Sequence, residues 1–302
     1  MNLAALILTY NRKEILKSCI EAVLLQKATE IPDIIVVDNG SSDGTSELFS
    51  GKEAIFKDER IHYFNTGHNT GCAGGFTFGM RKAADLGYDY IWMMDDDCIP
   101  SETALAELVG FAEKHVGQYG FLSSKVLWKD GSISLMNIQR TTLTRNVKDF
   151  NKSIVSVTMA SFASLLIPIR VIRDVGLPYS KFFIWTDDWE YTRRISMKYP
   201  CFLITRSEVT HYIKDNSKAD IATASSDRLP RFRYLYRNDV FLYRREGIKG
   251  IVYESLRLSI HIARILLSDH VIKEKIKRSR IVINGTTEGF SFYPTPERLS
   301  AK

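Results

Sequence analysis

The stretch from Tyr90 to Asp97 constrains the fold more than any other part of this sequence. Tyr-Ile-Trp-Met-Met at 90–94 runs directly into Asp95, Asp96 and Asp97. A short aromatic and apolar run is typical of a strand buried on both faces of a sheet. Three adjacent carboxylates at its end repel one another and resist desolvation. A divalent cation would relieve this conflict, since hard oxygen ligands suit Mg²⁺ or Mn²⁺. An acidic turn that caps the next helix is the alternative.

Composition indicates a soluble globular protein rather than a membrane-spanning or secreted one. Of 302 residues, 45% are hydrophobic and 25% are charged, which is ordinary for a globular chain. The four cysteines are scattered without a CxxC pair, so neither a zinc site nor a disulfide framework is expected. The chain enters strand-like Leu3–Leu8 without a signal-peptide pattern. We therefore expect a cytoplasmic protein, with peripheral contact at the inner membrane face left open.

The charge is distributed unevenly along the chain. Residues 228–302 carry 16 Lys and Arg against 7 Asp and Glu, whereas the remainder carries 25 against 28. We predict a domain over 1–215 and a basic, mainly helical extension over 216–302. The extension could attract anionic membrane or pyrophosphate groups, or it could be a solvated helical face. Five polar residues form one helical stripe in it, which indicates a helix packed on the body or lying on a membrane: Glu254, Arg257, His261, Arg264 and Ser268.

Strand, polar loop and helix follow one another repeatedly in the first part of the chain. Strands are predicted at Leu3–Leu8, 34–37, 61–64 and 90–94, which favours a Rossmann-like α/β fold with a mostly parallel sheet and helices on both faces. Ligands bind outside the carboxyl ends of such strands. Neither glycine-rich loop matches the dinucleotide fingerprint or the P-loop, so a dehydrogenase or P-loop NTPase is not expected. Asn11 and Glu14 together predict a capped helix after the first strand.

Four loop motifs, in this order, resemble the inverting family-two glycosyltransferases of the GT-A fold. They are Thr-Tyr-Asn-Arg at 9–12, Val-Val-Asp-Asn-Gly-Ser-Ser-Asp-Gly-Thr at 36–45, Asn-Thr-Gly at 69–71, and the three aspartates at 95–97. The resemblance implies that Asp95 and Asp97 hold Mn²⁺ or Mg²⁺ on the donor diphosphate. It also implies a nucleotide-sugar site formed by Thr9, Asn11, Arg12, Asp38, Asn69, Asp95, Asp96 and Trp185.

A second acidic centre lies in Phe-Phe-Ile-Trp-Thr-Asp-Asp-Trp-Glu-Tyr at 182–191. Helix capping would explain one aspartate. Two aspartates among tryptophans suit general-base work, because a carboxylate in a partly apolar pocket gains basicity. The segment resembles the catalytic-base motif of the same family, which implies that Asp187 and Asp188 are catalytic and that Asp188 takes the proton. The residues of this segment resemble those of the galactofuranosyltransferase branch most, and those of the related rhamnosyltransferases second.

A strand is predicted at 202–205. His211, which follows it, is a lone histidine that, on its residues alone, is more typical of a packed side chain than of a ligand. In the branch that the sequence resembles, some members place a histidine here as a third metal ligand beside the two aspartates. A neutral imidazole accepts Mn²⁺ more readily than Mg²⁺.

The sequence as a whole is interpreted as a metal-dependent inverting glycosyltransferase. By resemblance the donor is UDP-galactofuranose, or else dTDP-rhamnose, and the acceptor is a hydroxyl of a cell-surface or polyprenyl-diphosphate-linked glycan. Nucleic acid is not expected as a partner, and a homodimer stays open. A nucleotidyltransferase is an alternative, although Thr-Tyr-Asn-Arg stands where its glycine-rich basic loop would follow strand one. A non-enzymatic carbohydrate-binding module is another, although it would not need both acidic centres.

Overall fold

The computed structural model describes residues 1–29, 31–51 and 54–300. The chain divides into two units. The first comprises Met1–Ser180, Asp188–Ser217 and the segment from Pro296 onward. The second comprises Lys181–Asp187 and Lys218–Thr295.

The first unit is built on one mixed sheet. Its strands are β1 Leu3–Thr9, β2 Asp33–Asp38, β3 Ile61–Asn65, β4 Tyr90–Asp95, β5 Cys98–Pro100, β6 Leu122–Trp128, β7 Ile154–Ser156, β8 Leu165–Pro168 and β9 Phe202–His211. Its helices are α1 Lys13–Leu24, α2 Gly71–Asp85, α3 Ala104–Lys114, α4 Ile169–Val175 and α5 Asp187–Ser196, of which Asp187 itself falls in the second unit.

The strand order is β3-β2-β1-β4-β8-β6-β9-β5, and β7 pairs with β9. Strands β3, β2, β1 and β4 are parallel, while β8 runs antiparallel to both β4 and β6. Alternate residues of β1 enter two cores: Leu6 packs with residues of α2, and Ile7 packs with residues of α1 and α3. The predicted α/β fold with helices on both faces is therefore confirmed, and its parallel part is the half that carries the four loop motifs.

Strand β9 is longer than the sequence predicts. A strand was expected to end at Thr205, but β9 continues to His211 because its second half pairs with both β6 and β5. In that pairing His211 lies opposite Cys98, the residue that follows the three aspartates. The sheet register, rather than a loop, thus brings His211 beside the acidic end of β4.

The second unit is mainly helical. It contains α6 Phe232–Arg244, α7 Gly247–Leu267 and α8 Ile272–Ser291. Helix α8 approaches α6 closely at two glycines: a Cβ at Gly285 would lie 2.7 Å from the carbonyl oxygen of Arg233, and one at Gly289 would lie 2.6 Å from Cβ of Val240. Glycine is needed there because any side chain would push the helices apart. Across the described ranges, each helix is too short or too polar to cross a bilayer.

Candidate active site

The parallel pairing of β1 with β4 places the first loop motif against the three aspartates. The backbone N–H of Asp96 donates to the carbonyl of Leu8 at 3.1 Å. The hydroxyl of Thr9 donates to Asp96 Oδ2 at 2.6 Å. Nη1 of Arg12 donates to Asp96 Oδ1 at 3.1 Å and also to Asp97 Oδ2. The structure therefore brings Thr9, Arg12, Asp96 and Asp97 into one hydrogen-bonded cluster, and the Asp96 carboxylate is engaged by its own chain.

The three aspartates differ in their tendency to ionise. Burial, reinforced by the nearby Asp97 charge, raises the pKa of Asp95 to about 7. Burial also raises the pKa of Asp96 to about 6, although Arg12 opposes it. Burial would raise the pKa of Asp97 as well, but His211 and Arg12 outweigh it and hold that pKa below its usual value. Asp97 is thus the carboxylate whose charge is stabilised most by its surroundings.

His211 presents a defined nitrogen to Asp97. Its Nδ1 lies 2.8 Å from Asn137 Oδ1, and its Nε2 lies 3.2 Å from Asp97 Oδ1. The Asn137 oxygen also accepts from the Ser134 hydroxyl at 2.7 Å, while its amide nitrogen donates to Ser161 Oγ at 2.9 Å. With the Asn137 oxygen toward Nδ1, that nitrogen donates its hydrogen, and Nε2 is the nitrogen that faces Asp97.

An Nε2 without a hydrogen would point its lone pair at a carboxylate oxygen, so that two electron-pair donors would face one another. Either a proton on Nε2 or a cation between the two groups satisfies this arrangement. Metal-ligating histidines commonly donate their other ring N–H to an oxygen acceptor, as Nδ1 does here to Asn137. The residues present therefore fit a divalent cation held by Asp97 and His211.

The ligand atoms of Asp97, Cys98 and His211 lie within 4.8 Å of one another. The Cys98 thiol lies 3.9 Å from Asp97 Oδ1, and its burial raises its pKa well above the usual value. A thiol that keeps its proton is a poor ligand, so the carboxylate and the imidazole remain as donors. Asp95, the other predicted metal ligand, ends β4 beside this group. A set of one imidazole and carboxylates suits Mn²⁺ better than Mg²⁺.

Asn11 joins the first loop to the second and does not cap the helix that follows. It has a left-handed backbone (φ +53°), its N–H donates to Ser41 Oγ at 2.8 Å, and its side-chain oxygen accepts from the Ser42 N–H at 2.7 Å. The N–H of Lys13, the first residue of α1, is instead capped by Asp43 at 2.9 Å. The predicted helix cap at Asn11 is wrong because a partner from another loop lies closer than its own helix.

Asp38 is fully buried at the end of β2. Its Oδ1 accepts from the Ser41 N–H at 2.7 Å, and its Oδ2 accepts from the Tyr63 hydroxyl at 2.6 Å and from Asn65 at 3.0 Å. Oδ1 therefore shapes the second loop, and Oδ2 joins the end of β2 to β3.

Asn69 lies two residues before α2, which begins at Gly71. Its side-chain oxygen accepts from the N–H of Gly71, the first residue of α2, at 2.8 Å. Asn39, which sequence reasoning passed over, accepts from Thr70 N at 3.0 Å and donates to the carbonyl of Gly71 at 3.0 Å. Its place beside Asp38 in the second motif was the available signal. Asn39 ties the second and third loops together at the edge of the sheet.

The second acidic centre stands on a different element, at the start of α5. Asp188 is half-buried, and its Oδ1 accepts from the N–H of Trp189 at 2.7 Å. Glu190 forms an ion pair with Arg194 at 2.9 Å and is buried. Asp188 therefore lies within the first unit but on a helix separate from the cluster at β4, while Asp187 and Trp185 belong to the second unit.

The segment that precedes α5 has a strained backbone. Phe183, Trp185 and Thr186 all have positive φ, at +66°, +65° and +67°, a conformation that costs non-glycine residues of the order of 1 kcal/mol each. The Asn238 side-chain amide donates to the carbonyl oxygens of Trp185 at 2.8 Å and of Phe182 at 3.0 Å.

The two residues that flank Asn238 on α6 also form hydrogen bonds with the segment that precedes α5. Arg237 donates to the carbonyl of Lys181 at 2.7 Å, and Asp239 accepts from the Thr186 hydroxyl at 2.7 Å. Arg237, Asn238 and Asp239 thus hold the strained segment through consecutive residues of one helix. No local pattern predicts these contacts, because the partners are more than 50 residues apart.

Parallel βα units with polar loops at the carboxyl ends of their strands, and an acidic cluster at β4, define an α/β enzyme of the GT-A type. Residues 1–349 of S. aureus TarS share this fold, with a TM-score of 0.57 at 14% identity over 96% of this chain and 74% of that one. The family model of Glycosyl transferase family 2 matches residues 5–165. This chain belongs to that family.

Two curated relatives narrow the comparison. The chain is 31% identical to galactofuranosyltransferase GlfT1 of Mycolicibacterium smegmatis over 202 residues, which are 63% of this chain and 64% of the relative. The match thus spans less than two thirds of that protein's length. The chain is also 23% identical to the low-salt glycan biosynthesis hexosyltransferase Agl10 of Haloferax volcanii, over 99% of this chain and 94% of that one.

Proposed function

We propose that this glycosyltransferase is metal-dependent and inverting, and that it transfers a galactofuranosyl group from UDP-galactofuranose to an acceptor hydroxyl. The acceptor would be a growing cell-surface glycan or a glycan carried on a polyprenyl diphosphate. The observation that carries the metal dependence is the pairing of His211 Nε2 with Asp97 Oδ1 at 3.2 Å, with Nδ1 anchored on Asn137.

Asp95, Asp97 and His211 would hold Mn²⁺ or Mg²⁺, and when bound the cation supplies positive charge to the leaving diphosphate. Arg12 provides positive charge to Asp96 and Asp97. Thr9 keeps the Asp96 carboxylate in place through its 2.6 Å hydrogen bond. The loops around Asn11, Asp38 and Asn69 would form the nucleotide side of the site.

Asp188 would act as the general base. It accepts the proton of the acceptor hydroxyl while that oxygen attacks the anomeric carbon, and the bond from that carbon to the diphosphate oxygen breaks. Attack opposite the leaving group inverts the anomeric configuration. Asp188 is half-buried, so an acceptor can reach it. Glu190 is a poor alternative, because it is buried and paired with Arg194.

The assignment of the base is tested with Asp188→Asn, which keeps the shape and removes the proton acceptor. We expect kcat to fall by about 10²–10⁴-fold while Mn²⁺-dependent UDP binding, measured by calorimetry, stays unchanged. Asp149→Asn, at an exposed aspartate of the same unit, is the control. Full activity of Asp188→Asn would contradict the assignment.

The donor assignment draws support from the GlfT1 relative. The donor can be identified by measuring Tm with Mn²⁺ and each of a panel of nucleotide sugars. A bound ligand stabilises the folded state according to its affinity. UDP-galactofuranose should raise Tm most. A larger rise in Tm with dTDP-rhamnose would show that the donor sugar is rhamnose rather than galactofuranose. The metal and base assignments would not be affected.

A further inference from the structure

Helix α7 packs within the second unit through its polar side and through Ile265, and it exposes most of its other apolar residues. Nη1 of Arg257 lies 2.7 Å from Asp239 Oδ2 and 2.8 Å from Glu254 Oε2. Nδ1 of His261 lies 2.9 Å from the hydroxyl of Tyr236. Both partners outside α7 belong to α6, so the polar stripe recognised in the sequence is used for packing within the second unit.

The opposite side of α7 carries a mainly apolar face, in which Ser255 and Ser259 are also exposed but turn their hydroxyls back onto the helix backbone. Its two ends are the most open, with Ile248 82% and Leu267 84% exposed. A 21-residue helix is about 30 Å long, and a mainly apolar surface of that length is typical of a contact with another apolar phase. The outward face, hereafter the α7 face, consists of Ile248, Ile251, Val252, Leu256, Ile260, Leu266 and Leu267.

The charges around the α7 face are almost all positive. Val271 and Ile272 continue the exposed apolar surface into the start of α8. The exposed charged side chains between 247 and 291, a range described throughout, comprise one acidic residue, Asp269, and five basic ones: Lys249, Arg264, Lys273, Lys277 and Arg280. Two copies joined through this surface would bring like charges together, which disfavours association. An anionic bilayer complements both the apolar face and the basic residues.

We propose that the α7 face and the start of α8 dock on the surface of a bilayer that contains anionic lipid. Helix α7 would lie in the interface with its apolar side among the acyl chains, and the basic residues of α8 would contact the headgroups. This inference concerns a surface of the second unit and does not depend on the donor, the acceptor or the general base.

The test is flotation of the full chain with vesicles of phosphatidylcholine alone and of phosphatidylcholine mixed with phosphatidylglycerol. The wild type should float with the mixed vesicles. Changing Ile251, Leu256 and Ile260 together to Gln should weaken binding at least about tenfold, because each apolar side chain contributes through its buried methylenes. The matched control changes three exposed apolar residues of the first unit to Gln, namely Leu25, Val116 and Met197, and should float like the wild type.

A second variant tests the charge contribution and keeps the apolar face intact. Changing Lys273, Lys277 and Arg280 to Gln should reduce binding to the mixed vesicles by about fivefold per residue, and added salt should reduce the wild type's binding likewise. The proposal is overturned if the wild type does not float, or if neither set of changes alters its flotation. It is also overturned if sedimentation velocity shows a dimer that the Gln variant of the α7 face abolishes while vesicles remain unbound.

Discussion

Nε2 of His211 lies 3.2 Å from Oδ1 of Asp97, although the two residues come from strand β9 and from the loop after β4. The contact depends on the antiparallel pairing of β5 with β9, which sets His211 opposite Cys98. The orientation of the imidazole is controlled from its other nitrogen by Asn137.

Asn137→Ala should weaken Mn²⁺ binding without removing a predicted ligand. Loss of the hydrogen bond to Nδ1 frees the imidazole to rotate. Removing a residue that hydrogen-bonds to a metal ligand typically lowers metal affinity by about 10–100-fold. Calorimetric titration of the purified protein with Mn²⁺ measures the change. Asn151→Ala, at an exposed asparagine of the same unit, should bind like the wild type. Equal affinities for both variants would show that Asn137 has no part in a metal site.

Arg12→Gln should destabilise the protein more in EDTA than in Mn²⁺. Arg12 donates to both Asp96 and Asp97, so its loss leaves the acidic cluster without its positive partner. Its side chain is half exposed, and solvent screening therefore limits the effect to about 1 kcal/mol, or a few degrees in Tm. Added Mn²⁺ should restore most of the loss. Arg60→Gln, which removes an exposed pair with Asp58, should show no difference between the two buffers; the same result for Arg12→Gln would refute the argument.

Glu254→Gln should flatten the dependence of stability on pH. Burial, together with the Asp239 charge, raises the pKa of Glu254 to about 8 from 4.5. Between these values the native state retains a proton that the unfolded chain has released, so stability falls as pH rises. Glutamine resembles the protonated form and does not titrate. The free energy of unfolding of the variant, relative to that of the wild type, should therefore rise by up to a few kcal/mol between about pH 5 and about pH 8.

Urea unfolding at several pH values measures this gain in the free energy of unfolding. Glu113→Gln, at an exposed glutamate of α3, is the control and should leave the pH dependence as it is in the wild type. A Glu254→Gln profile parallel to that of the wild type would mean that Glu254 is ionised throughout.

Asn238→Ala should lower both stability and kcat. It leaves the carbonyls of Phe182 and Trp185 without their donor, at a cost of about 1–3 kcal/mol, and it releases a segment whose strained backbone leads into Asp188. Because the loops proposed to bind the donor follow β1, β2 and β3 and, in the residues that the structure describes, make no hydrogen bond to Asn238, KM for the donor should change less than kcat. Asn284→Ala, at an exposed position of α8, controls for the gain in helix propensity. A kcat equal to that of the wild type would show that the segment does not position the base.

The order of strands and loops could be predicted from the sequence because it depends on local patterns. The apolar run at 90–94 is a strand wherever it is placed, and parallel pairing puts the polar loops that follow β1, β2, β3 and β4 at one edge of the sheet. The grouping of Thr9 and Arg12 with Asp96 and Asp97 follows from that rule. The roles in metal and sugar binding remain predictions.

Only the tertiary structure decided which partner each polar group takes. Asn137 is 74 residues from His211, and no local pattern joins them; β9 had to extend past Thr205 before they could meet. The polar stripe of α7 was visible in the sequence, but its inward direction depends on Asp239 and Tyr236 of α6. Periodicity shows that a helix has two faces. Which face is buried depends on what the neighbouring helix offers, and here charged and hydroxyl partners on α6 satisfy the polar face and leave the apolar face outside.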